Sequence, residues 1–446
     1  MRPTQRLARS GGVTHEGGRA ALLNDEATLR RSVMACLLWE DTFYEDGESV
    51  YDRIKRLCAS VAPDKIAEMA VTARQKMYLR HVPLVLCREL LRRGALRPET
   101  LAAVLLRADG PAEFLALLWA EGRRYVPRAV RRGIEAALPR FDEYQLAKWG
   151  QRKPITMRDV FRMVRPNPKL EPIPGLWRKV VKNELAVPDT WEVALSSAGK
   201  DADKHAIWLR LLEERKLGGL ALLRNLRNMA EAKVPKEAVV AAMAEAKFGR
   251  VLPFRFLAAA KHVPQWEGII DAAMLRQTPA RMLPGTTYLL VDVSGSMDQG
   301  RVSQKSELTA LDVACGVAIL AREMCDNVRV FTFSNALVEV PSRRGMALRD
   351  AVTGSQQHGG TQLAGALAAM PKDCVRLIVI TDEQAHDDLG GGFGRRRYMV
   401  NVATYEKGVG YGDWTRINGW SEAVLDYIAE VEGIAETALD SEPEED

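Results

Sequence analysis

Residues 286–297, TTYLLVDVSGSM, decide the fold of the C-terminal third of this chain. The run TTYLLVDV is almost continuously apolar, which is typical of a strand buried on both faces of a parallel sheet. It follows ARMLPG (280–285), and before that segment the apolar residues recur at helical spacing. This change of period predicts that a second, different domain begins near residue 281.

Beyond this first strand, strand-like and helix-like segments alternate. NVRVFTFS, CVRLIVITDEQ and RYMVNVATY are predicted strands, and SELTALDVACGVAILAREMC, GTQLAGALAAM and WSEAVLDYIAEVE are predicted helices. Such alternation indicates βαβ units, which build a parallel, doubly wound sheet. We therefore predict an α/β domain over residues 281–439. The last residues, DSEPEED (440–446), form an acidic tail without core-forming side chains.

The N-terminal part, residues 1–280, is predicted to be mainly α. From about residue 26 to about residue 275, successive segments place apolar residues at i, i+3, i+4 and i+7, and short Pro- or Gly-containing connectors separate them. Many short helices in series resemble paired-helix repeats of the HEAT kind, although no clean sequence period is visible. The Pro-rich stretch PNPKLEPIPG (166–175) is predicted to be a loop inside this domain.

Composition excludes several classes of protein. The 446 residues are 47% hydrophobic and 27% charged, and no run approaches the ~20 apolar residues of a membrane span. The N-terminus lacks the apolar core of a secretion signal. The cysteines contain no CxxC pair, which argues against a disulfide framework and a zinc site. We expect a cytoplasmic protein with reduced, mostly buried thiols: Cys36, Cys58, Cys87, Cys315, Cys325 and Cys374.

The net charge of +5 conceals an asymmetry. Residues 281–446 hold 15 Lys and Arg against 25 Asp and Glu, whereas residues 1–280 hold 48 against 33. A basic surplus of this size suits binding to a phosphate backbone, because each neutralised phosphate releases condensed counterions. The alternative is a solvated basic surface without a partner.

Oxygen-bearing side chains follow two of the predicted strands. Asp292, Ser294 and Ser296 come directly after the first strand, Thr361 lies in HGGTQL at a helix start, and Asp382 ends the strand CVRLIVIT. Open α/β sheets place their ligands beyond the carboxyl ends of the strands. Carboxylate and hydroxyl oxygens suit Mg²⁺ or Mn²⁺ better than zinc. The sequence therefore predicts one divalent-metal site.

This DxSxS…T…D order resembles the metal-ion-dependent adhesion site of von Willebrand factor A domains over about 160 residues. The resemblance implies that Asp292, Ser294 and Ser296 hold the metal directly, and that Thr361 and Asp382 contact it directly or through water. One position would stay open for a partner's carboxylate. The alternative is a retained fold whose site has lost its metal.

An enzymatic role is not expected. The chain has no HExxH, no GxxxxGK phosphate loop and no nucleophilic aspartate followed two residues later by a second one. A metal-dependent phosphatase or nuclease would need a second carboxylate cluster, and Asp298, Asp387 and Asp388 look like ordinary loop acids. His358 and His386 flank the metal loops, and we predict surface or hydrogen-bonded roles for them because imidazole does not suit a Mg²⁺ site.

A basic segment in the helical part, LAKWGQRKPITMRDVFRMVRP (146–166), is a candidate RNA contact. Arg158, Arg162 and Arg165 recur at spacings of four and three, which places them on one helix face. Trp149 beside them could stack on an unpaired base or be a core residue. The other candidates in this segment are Lys148, Gln151, Arg152 and Lys153. Arg128 and Arg131, within a second basic set that also includes Arg123, Arg124 and Arg132, could extend the same surface or merely face solvent.

A helical domain followed by an A domain resembles the Ro autoantigen (TROVE module) family. GGLALLRNLRNM (218–229), VLPFRFLAAAKH (251–262) and the segment 146–166 are each similar to family segments. The resemblance implies a HEAT-like helical ring. It also implies that small structured Y-type RNA binds the outer basic surface and that single-stranded ends of misfolded RNA enter the opening. Arg224 and Arg227 could line that opening or pair with Glu213 or Glu214.

The implied function is RNA quality control, or tethering RNA to a nuclease. In bacterial relatives an exoribonuclease such as polynucleotide phosphorylase is the implied partner. The competing hypothesis is a metal-dependent protein-binding scaffold without direct RNA contact.

Overall fold

A computed structural model describes most of the chain, in two compact units. The described residues are 24–34, 47–76, 79–122, 125–150, 154–197, 203–248, 251, 253–276, 282–299, 307–382, 393–402, 414–418, 424–425, 428–429, 432 and 434. One unit comprises residues 53–202 and is called the helical unit; the other comprises residues 1–52 with 203–446 and is called the mixed unit.

The helical unit is built from short helices with standard start signals. Its helices are α2 (Gly47–Ser60, from residue 53 onwards), α3 (Pro63–Gln75), α4 (Val82–Arg92), α5 (Pro98–Val104), α6 (Gly110–Ala120), α7 (Arg128–Ala137), α8 (Glu143–Trp149), α9 (Met157–Val164), α10 (Leu176–Lys182) and α11 (Trp191–Ser197). Proline occupies the first turn of α3, where its missing N–H costs nothing. Helix α9 begins with a capping box between Thr156 and Asp159. Gly133 lets α7 approach α5, since a Cβ there would lie 2.9 Å from Leu101 Cβ.

The mixed unit combines further helices with one sheet. Its helices are α1 (Asp25–Met34), α12 (Lys204–Glu213), α13 (Gly219–Glu231), α14 (Lys236–Glu245), α15 (Pro253–His262), α16 (Glu267–Leu275), α17 (Gly295–Gln299), α18 (Ala310–Met324), α19 (Gly345–Thr353) and α20 (Leu363–Ala369). Helix α15 packs on α18, where Gly316 brings the two helices together: a Cβ at Gly316 would lie 3.3 Å from Phe254 N.

The sheet is mainly parallel and has the order β3-β2-β1-β4-β5-β6. Its strands are β1 (Leu283–Asp292), β2 (Cys325–Phe333), β3 (Leu337–Val340), β4 (Arg376–Thr381), β5 (Arg396–Asn401) and β6 (Thr415–Asn418). Strand β1 lies between β2 and β4 and pairs with both in parallel. Strand β3 is antiparallel to β2 and forms one edge.

Helices cover both faces of this sheet. Tyr288 and Leu290 of β1 and Phe331 of β2 belong to one buried cluster with Leu363 and Leu367 of α20. Helix α18 packs against β1, β2 and β4, and its side chains are almost all buried. A mainly helical chain with an α/β part is thus confirmed. The short edge strand β3, helix α19 and β6 were missed, and the predicted helix over 420–432 lies largely outside the described residues.

The described part of the chain contains no helix long and apolar enough to cross a membrane. Five of the six cysteines are described, and all five are free and buried, as predicted. Burial raises the pKa of the Cys87 thiol to about 12, so this thiol is a poor nucleophile. Cys36 lies outside the described residues.

A buried ion pair fastens the C-terminal segment to the sheet. Arg376, at the start of β4, donates from Nε to Glu432 Oε1 at 2.6 Å, and both side chains are 0% exposed. Glu432 also pairs with Arg396 and accepts a hydrogen bond from Tyr398 OH at 3.0 Å. Burial acts to raise the pKa of Glu432, but the hydrogen bonds and charge of Arg376 outweigh it and hold this pKa below its ordinary value. The ionised pair is therefore part of the folded structure.

Glu432→Gln should lower the free energy of unfolding of the mixed unit by about 3 to 5 kcal/mol, because it leaves the buried Arg376 without its counter-charge. Denaturant unfolding followed by circular dichroism at pH 7 measures this change. The matched control is Glu339→Gln, which breaks an exposed pair with Arg329 (2.8 Å) and should cost less than about 1 kcal/mol. Equal effects of the two substitutions would contradict this account of Arg376.

Candidate metal centre and RNA-binding surface

The topology brings the predicted metal donors to one place in the sheet. From β1 the chain proceeds to β2 and β3 on one side, and then returns to β4 on the other side of β1. In open α/β sheets this reversal opens a crevice at the carboxyl ends of the two central strands. Asp292 is the last residue of β1, and Asp382 directly follows β4. Two of the five predicted donors therefore lie at the reversal point.

The Asp292 carboxylate is held in a fixed orientation. It is fully buried, and its Oδ1 accepts the backbone N–H of Ser294 at 2.9 Å. Its Oδ2 accepts a hydrogen bond from Thr381 Oγ1 at 2.6 Å. Ser294 Oγ lies 3.2 Å from Ser296 Oγ, so the two hydroxyls of the DxSxS segment are adjacent. The adjacent hydroxyls are compatible with the predicted donor set, and metal binding by these residues stays a prediction.

Two acidic side chains lie buried at this point, where a cation could bind. Asp382 is fully buried, as Asp292 is, and Thr361 is 4% exposed. Burial, and then the negative charge of Asp382, raise the pKa of Asp292 well above its ordinary value. Two neighbouring buried carboxylates are costly to ionise together, so either one of them takes up a proton, as the raised pKa of Asp292 indicates, or a positive charge offsets them. A hard divalent cation such as Mg²⁺ would offset them, and the carboxylate and hydroxyl oxygens fit its preferences.

The loop that carries Thr361 is tied to the DxSxS loop. Gly295 N donates to Gly359 O at 3.0 Å. His358, just before that glycine, has its Nε2 3.0 Å from Thr353 O and its Nδ1 3.3 Å from Asp298 Oδ2. His358 is therefore hydrogen-bonded, as predicted. His386 lies outside the described residues.

In the helical unit, the predicted arginine stripe divides by exposure. Arg162 and Arg165 are exposed, whereas Arg158 is half-buried and its Nε has no hydrogen-bond partner among the described residues. Arg165 adopts a left-handed conformation with φ 49° at the C-terminus of α9. Gln151, Arg152 and Lys153 were also predicted to contact RNA, and they lie outside the described residues.

Trp149 is neither a core residue nor an open stacking platform. Its side chain is half-buried, and two cations lie over its ring: Arg107 at 4.2 Å and Lys148 at 4.7 Å from the ring centroid. Arg107 is a basic neighbour that sequence reasoning missed, because it is 42 residues away and no local pattern marks it. The cation–π contacts hold both side chains beside the aromatic ring.

The second basic set lies on a neighbouring helix. Helices α7 and α9 are in contact, and Asn167 N, just after α9, donates to Glu135 of α7 at 2.7 Å. The sequence left open whether this set belonged with the first, and the packing places the two helices together. The exposed arginines on these two helices are Arg128, Arg131, Arg132, Arg162 and Arg165, and together they are called the α7–α9 surface.

Arg224, on α13 of the mixed unit, does not pair with either predicted glutamate. Glu214 binds Arg210 at 2.8 Å, and the exposed Arg224 makes no side-chain hydrogen bond or ion pair within the described residues. Its electrostatic neighbour is Arg255 of α15: burial, and then the charge of Arg224, lower the pKa of Arg255. Sequence reasoning missed Arg255, since only the packing of α13 on α15 brings the two arginines together.

Comparisons with known proteins agree on a family. The TROVE domain model matches residues 19–183 and 178–281, which is more than half of the chain. Telomerase protein component 1 of Mus musculus is 28% identical over 232 residues; the match covers 48% of this chain and only 8% of the mouse protein. The Ro (RSR) protein of Deinococcus radiodurans has the same fold, with a TM-score of 0.58 at 19% identity over 92% of this chain and 100% of that one.

The TROVE match ends just before β1, so the metal-site region lies outside it. Within the match are α7, α9, α13 and α15, which carry the exposed arginines. This chain belongs to the TROVE domain family, and that membership implies an RNA-binding, ribonucleoprotein function.

Proposed function

We propose that this protein binds small structured non-coding RNA of the Y type through the α7–α9 surface, and single-stranded or misfolded RNA ends through a second site. It would act in RNA quality control or tether RNA to a nuclease, with an exoribonuclease such as polynucleotide phosphorylase as a partner. We propose a binding role without catalysis, in the cytoplasm.

The observation that carries the proposal is the pairing state of the arginines. Arg128, Arg131, Arg132 and Arg165 make no side-chain hydrogen bond or ion pair within the described residues. Some exposed cations elsewhere have partners, for example Lys65 with Glu68 at 3.2 Å and Arg210 with Glu214 at 2.8 Å, whereas others, such as Arg178 and Arg343, have none within the described residues. What distinguishes the α7–α9 set is that several such arginines lie on two helices in contact. Unpaired guanidinium groups on adjacent helices suit an external polyanion, and guanidinium binds phosphate in a bidentate manner.

The charge balance of the helical unit points the same way. Residues 53–202 contain 29 Lys and Arg against 16 Asp and Glu, a surplus of 13, although the whole chain has a net charge of only +5. The rest of the chain is therefore net negative. Long-range attraction of RNA would be directed to the helical unit, and the repelling negative charge lies in residues 281–446, which hold 15 Lys and Arg against 25 Asp and Glu.

Arg131→Glu/Arg162→Glu should weaken binding of a structured RNA at least tenfold, because each reversal removes a cation that binds phosphate. The slope of log affinity against log salt concentration should fall by about two, one for each phosphate that is no longer neutralised. Filter binding at several salt concentrations measures both quantities. The control, Lys65→Glu/Arg210→Glu, makes the same net charge change at paired cations. If both double variants bind RNA equally weakly, only net charge matters and this surface is not the site.

For single-stranded ends, the Arg224–Arg255 pair offers a second concentration of unpaired positive charge. Neither arginine makes a side-chain hydrogen bond or ion pair in the described part of the chain. Like charges brought together by packing gain stability when an anion binds between them.

Arg224→Gln/Arg255→Gln should weaken binding of a single-stranded oligoribonucleotide about tenfold, because two phosphate-binding guanidinium groups are removed, while structured RNA without a tail should bind as before. Fluorescence anisotropy with the two labelled RNAs measures the difference. Arg227→Gln is the control, since Arg227 already pairs with Glu231 at 3.0 Å. Unchanged affinity for the single strand would remove this pair from the proposal.

We further propose that Asp292, Ser294, Ser296, Thr361 and Asp382 hold Mg²⁺ or Mn²⁺. The buried, mutually repelling carboxylates of Asp292 and Asp382 support this assignment. When bound, such an ion would present an open coordination position to a carboxylate or water. A protein partner could bind there, so the scaffold hypothesis is kept for this site.

Mg²⁺ at about 100 times its dissociation constant should stabilise the wild-type chain by about 2.7 kcal/mol. Asp292→Asn should abolish this gain, and without metal it should be at least as stable as wild type because one of two repelling buried charges is gone. Thermal unfolding with and without Mg²⁺ tests both statements. Asp298, predicted from the sequence to be a loop acid, is an exposed residue of α17 beside the site, and Asp298→Asn should keep the metal-dependent gain. A wild-type chain that does not respond to Mg²⁺ or Mn²⁺ would overturn the metal assignment.

A further inference from the structure

We infer that Ser334 and Asn335, at the end of β2, are positioning residues for the metal site and set where Thr361 lies relative to the DxSxS loop. The inference rests on the proposed metal assignment. Neither residue is one of the five predicted oxygen donors, and both belong to a turn that no metal motif marks.

Ser334 holds the Thr361 loop from both sides. Its side chain is fully buried, and Oγ accepts the N–H of Gly359 at 2.8 Å while donating to Gly360 O at 3.0 Å. Its backbone carbonyl accepts the N–H of Gln362 at 3.0 Å. Both functions of the hydroxyl are therefore used on the residues just before Thr361, and the carbonyl binds the residue just after it.

Asn335 adds a close contact that requires glycine in the loop. Its Oδ1 accepts the N–H of Gly360 at 2.9 Å. A Cβ at Gly359 would lie 2.3 Å from Asn335 Nδ2, and its three nearest atoms would all belong to the Asn335 side chain. The HGG sequence before Thr361 thus lets the loop backbone lie directly on the Ser334–Asn335 turn.

The same turn is connected to the other metal loop. Phe333 O accepts the N–H of Val293 at 2.9 Å, and Gly359 O accepts the N–H of Gly295 at 3.0 Å. The segment 333–335 therefore fixes the loop of Ser294 and Ser296 as well as the loop of Thr361. Since β2 pairs with β1 along its length, the position of both loops is fixed by the sheet.

Metal affinity should depend on this arrangement. Mg²⁺ demands nearly ideal octahedral geometry, so a small displacement of one oxygen donor weakens binding. Residues that orient the ligands of a metal typically contribute about 10- to 100-fold to its affinity. If the turn served only to stabilise the loops, its removal would lower the melting temperature and leave the affinity for metal unchanged.

The test measures Mn²⁺ binding to the full chain by the decrease of the electron paramagnetic resonance signal of free Mn²⁺. Ser334→Ala should weaken Mn²⁺ binding at least tenfold. Ser355→Ala is the matched control: it removes a hydroxyl that bonds Thr332 Oγ1 and Val352 O, both at 2.8 Å, and neither partner belongs to residues 292–296 or 358–362. This variant should bind Mn²⁺ like wild type. Circular dichroism without metal shows whether each variant is folded.

A second set of variants tests the contact of Asn335 with the loop. Gly359→Ala alone should weaken Mn²⁺ binding at least tenfold, because its Cβ forces Asn335 and the loop apart. In an Asn335→Ala background the same Gly359→Ala should weaken binding less than twofold further, since the clashing atoms are gone. This non-additivity is expected only if the two residues act through one contact.

Three outcomes are distinguishable. No Mn²⁺ binding by the wild-type chain would overturn the metal assignment and the inference with it. Mn²⁺ binding by wild type and by folded Ser334→Ala within twofold of each other would overturn the inference and leave the metal assignment standing. Weakened Mn²⁺ binding in Ser334→Ala, together with additive effects in the second set of variants, would support a positioning role for Ser334 and exclude one for Asn335.

Discussion

The pairing of β1 along both of its edges is the constraint on which the candidate metal site depends. Because β2 and β4 both run parallel to β1, the carboxyl ends of all three strands lie together at one end of the sheet. Asp292 terminates β1, Ser334 follows β2 and Asp382 follows β4. A one-residue shift of β1 would turn Asp292 to the opposite face of the sheet. The register of β1 therefore determines where this oxygen donor lies.

The sequence predicted this part well because the signal is local. The buried run of TTYLLVDV identifies the strand, and the structure confirms β1 with Asp292 at its end and the hydroxyls of Ser294 and Ser296 adjacent. That these residues bind a metal stays a prediction. The roles of Ser334 and Asn335 could not be predicted, since they arise from contacts with residues about 25 positions away. Strand β3 was missed because four residues at an edge carry little hydrophobic pattern.

For the basic residues, the sequence predicted which side chains share a helix face better than it predicted their burial and contacts. It placed Arg158, Arg162 and Arg165 on one stripe, but burial separates Arg158 from the other two. It could not decide whether Trp149 was a core or a stacking residue, and the structure shows a third arrangement, with cations over the ring. Arg107 and Arg255 were missed for one physical reason: their neighbours come from tertiary packing, which no local sequence pattern encodes.

Charge compensation differs between the buried ion pairs of this chain and its two candidate sites. The fully buried Arg88 is neutralised by Glu89 at 2.5 Å and Glu121 at 2.7 Å, and Arg376 is neutralised by Glu432. Such groups have no uncompensated charge with which to bind a ligand. Asp292 faces another acid, and Arg224 faces another arginine. Because folding brings like charges together in both places, an ion from outside the chain would stabilise each arrangement: a cation at the sheet, and an anion between α13 and α15.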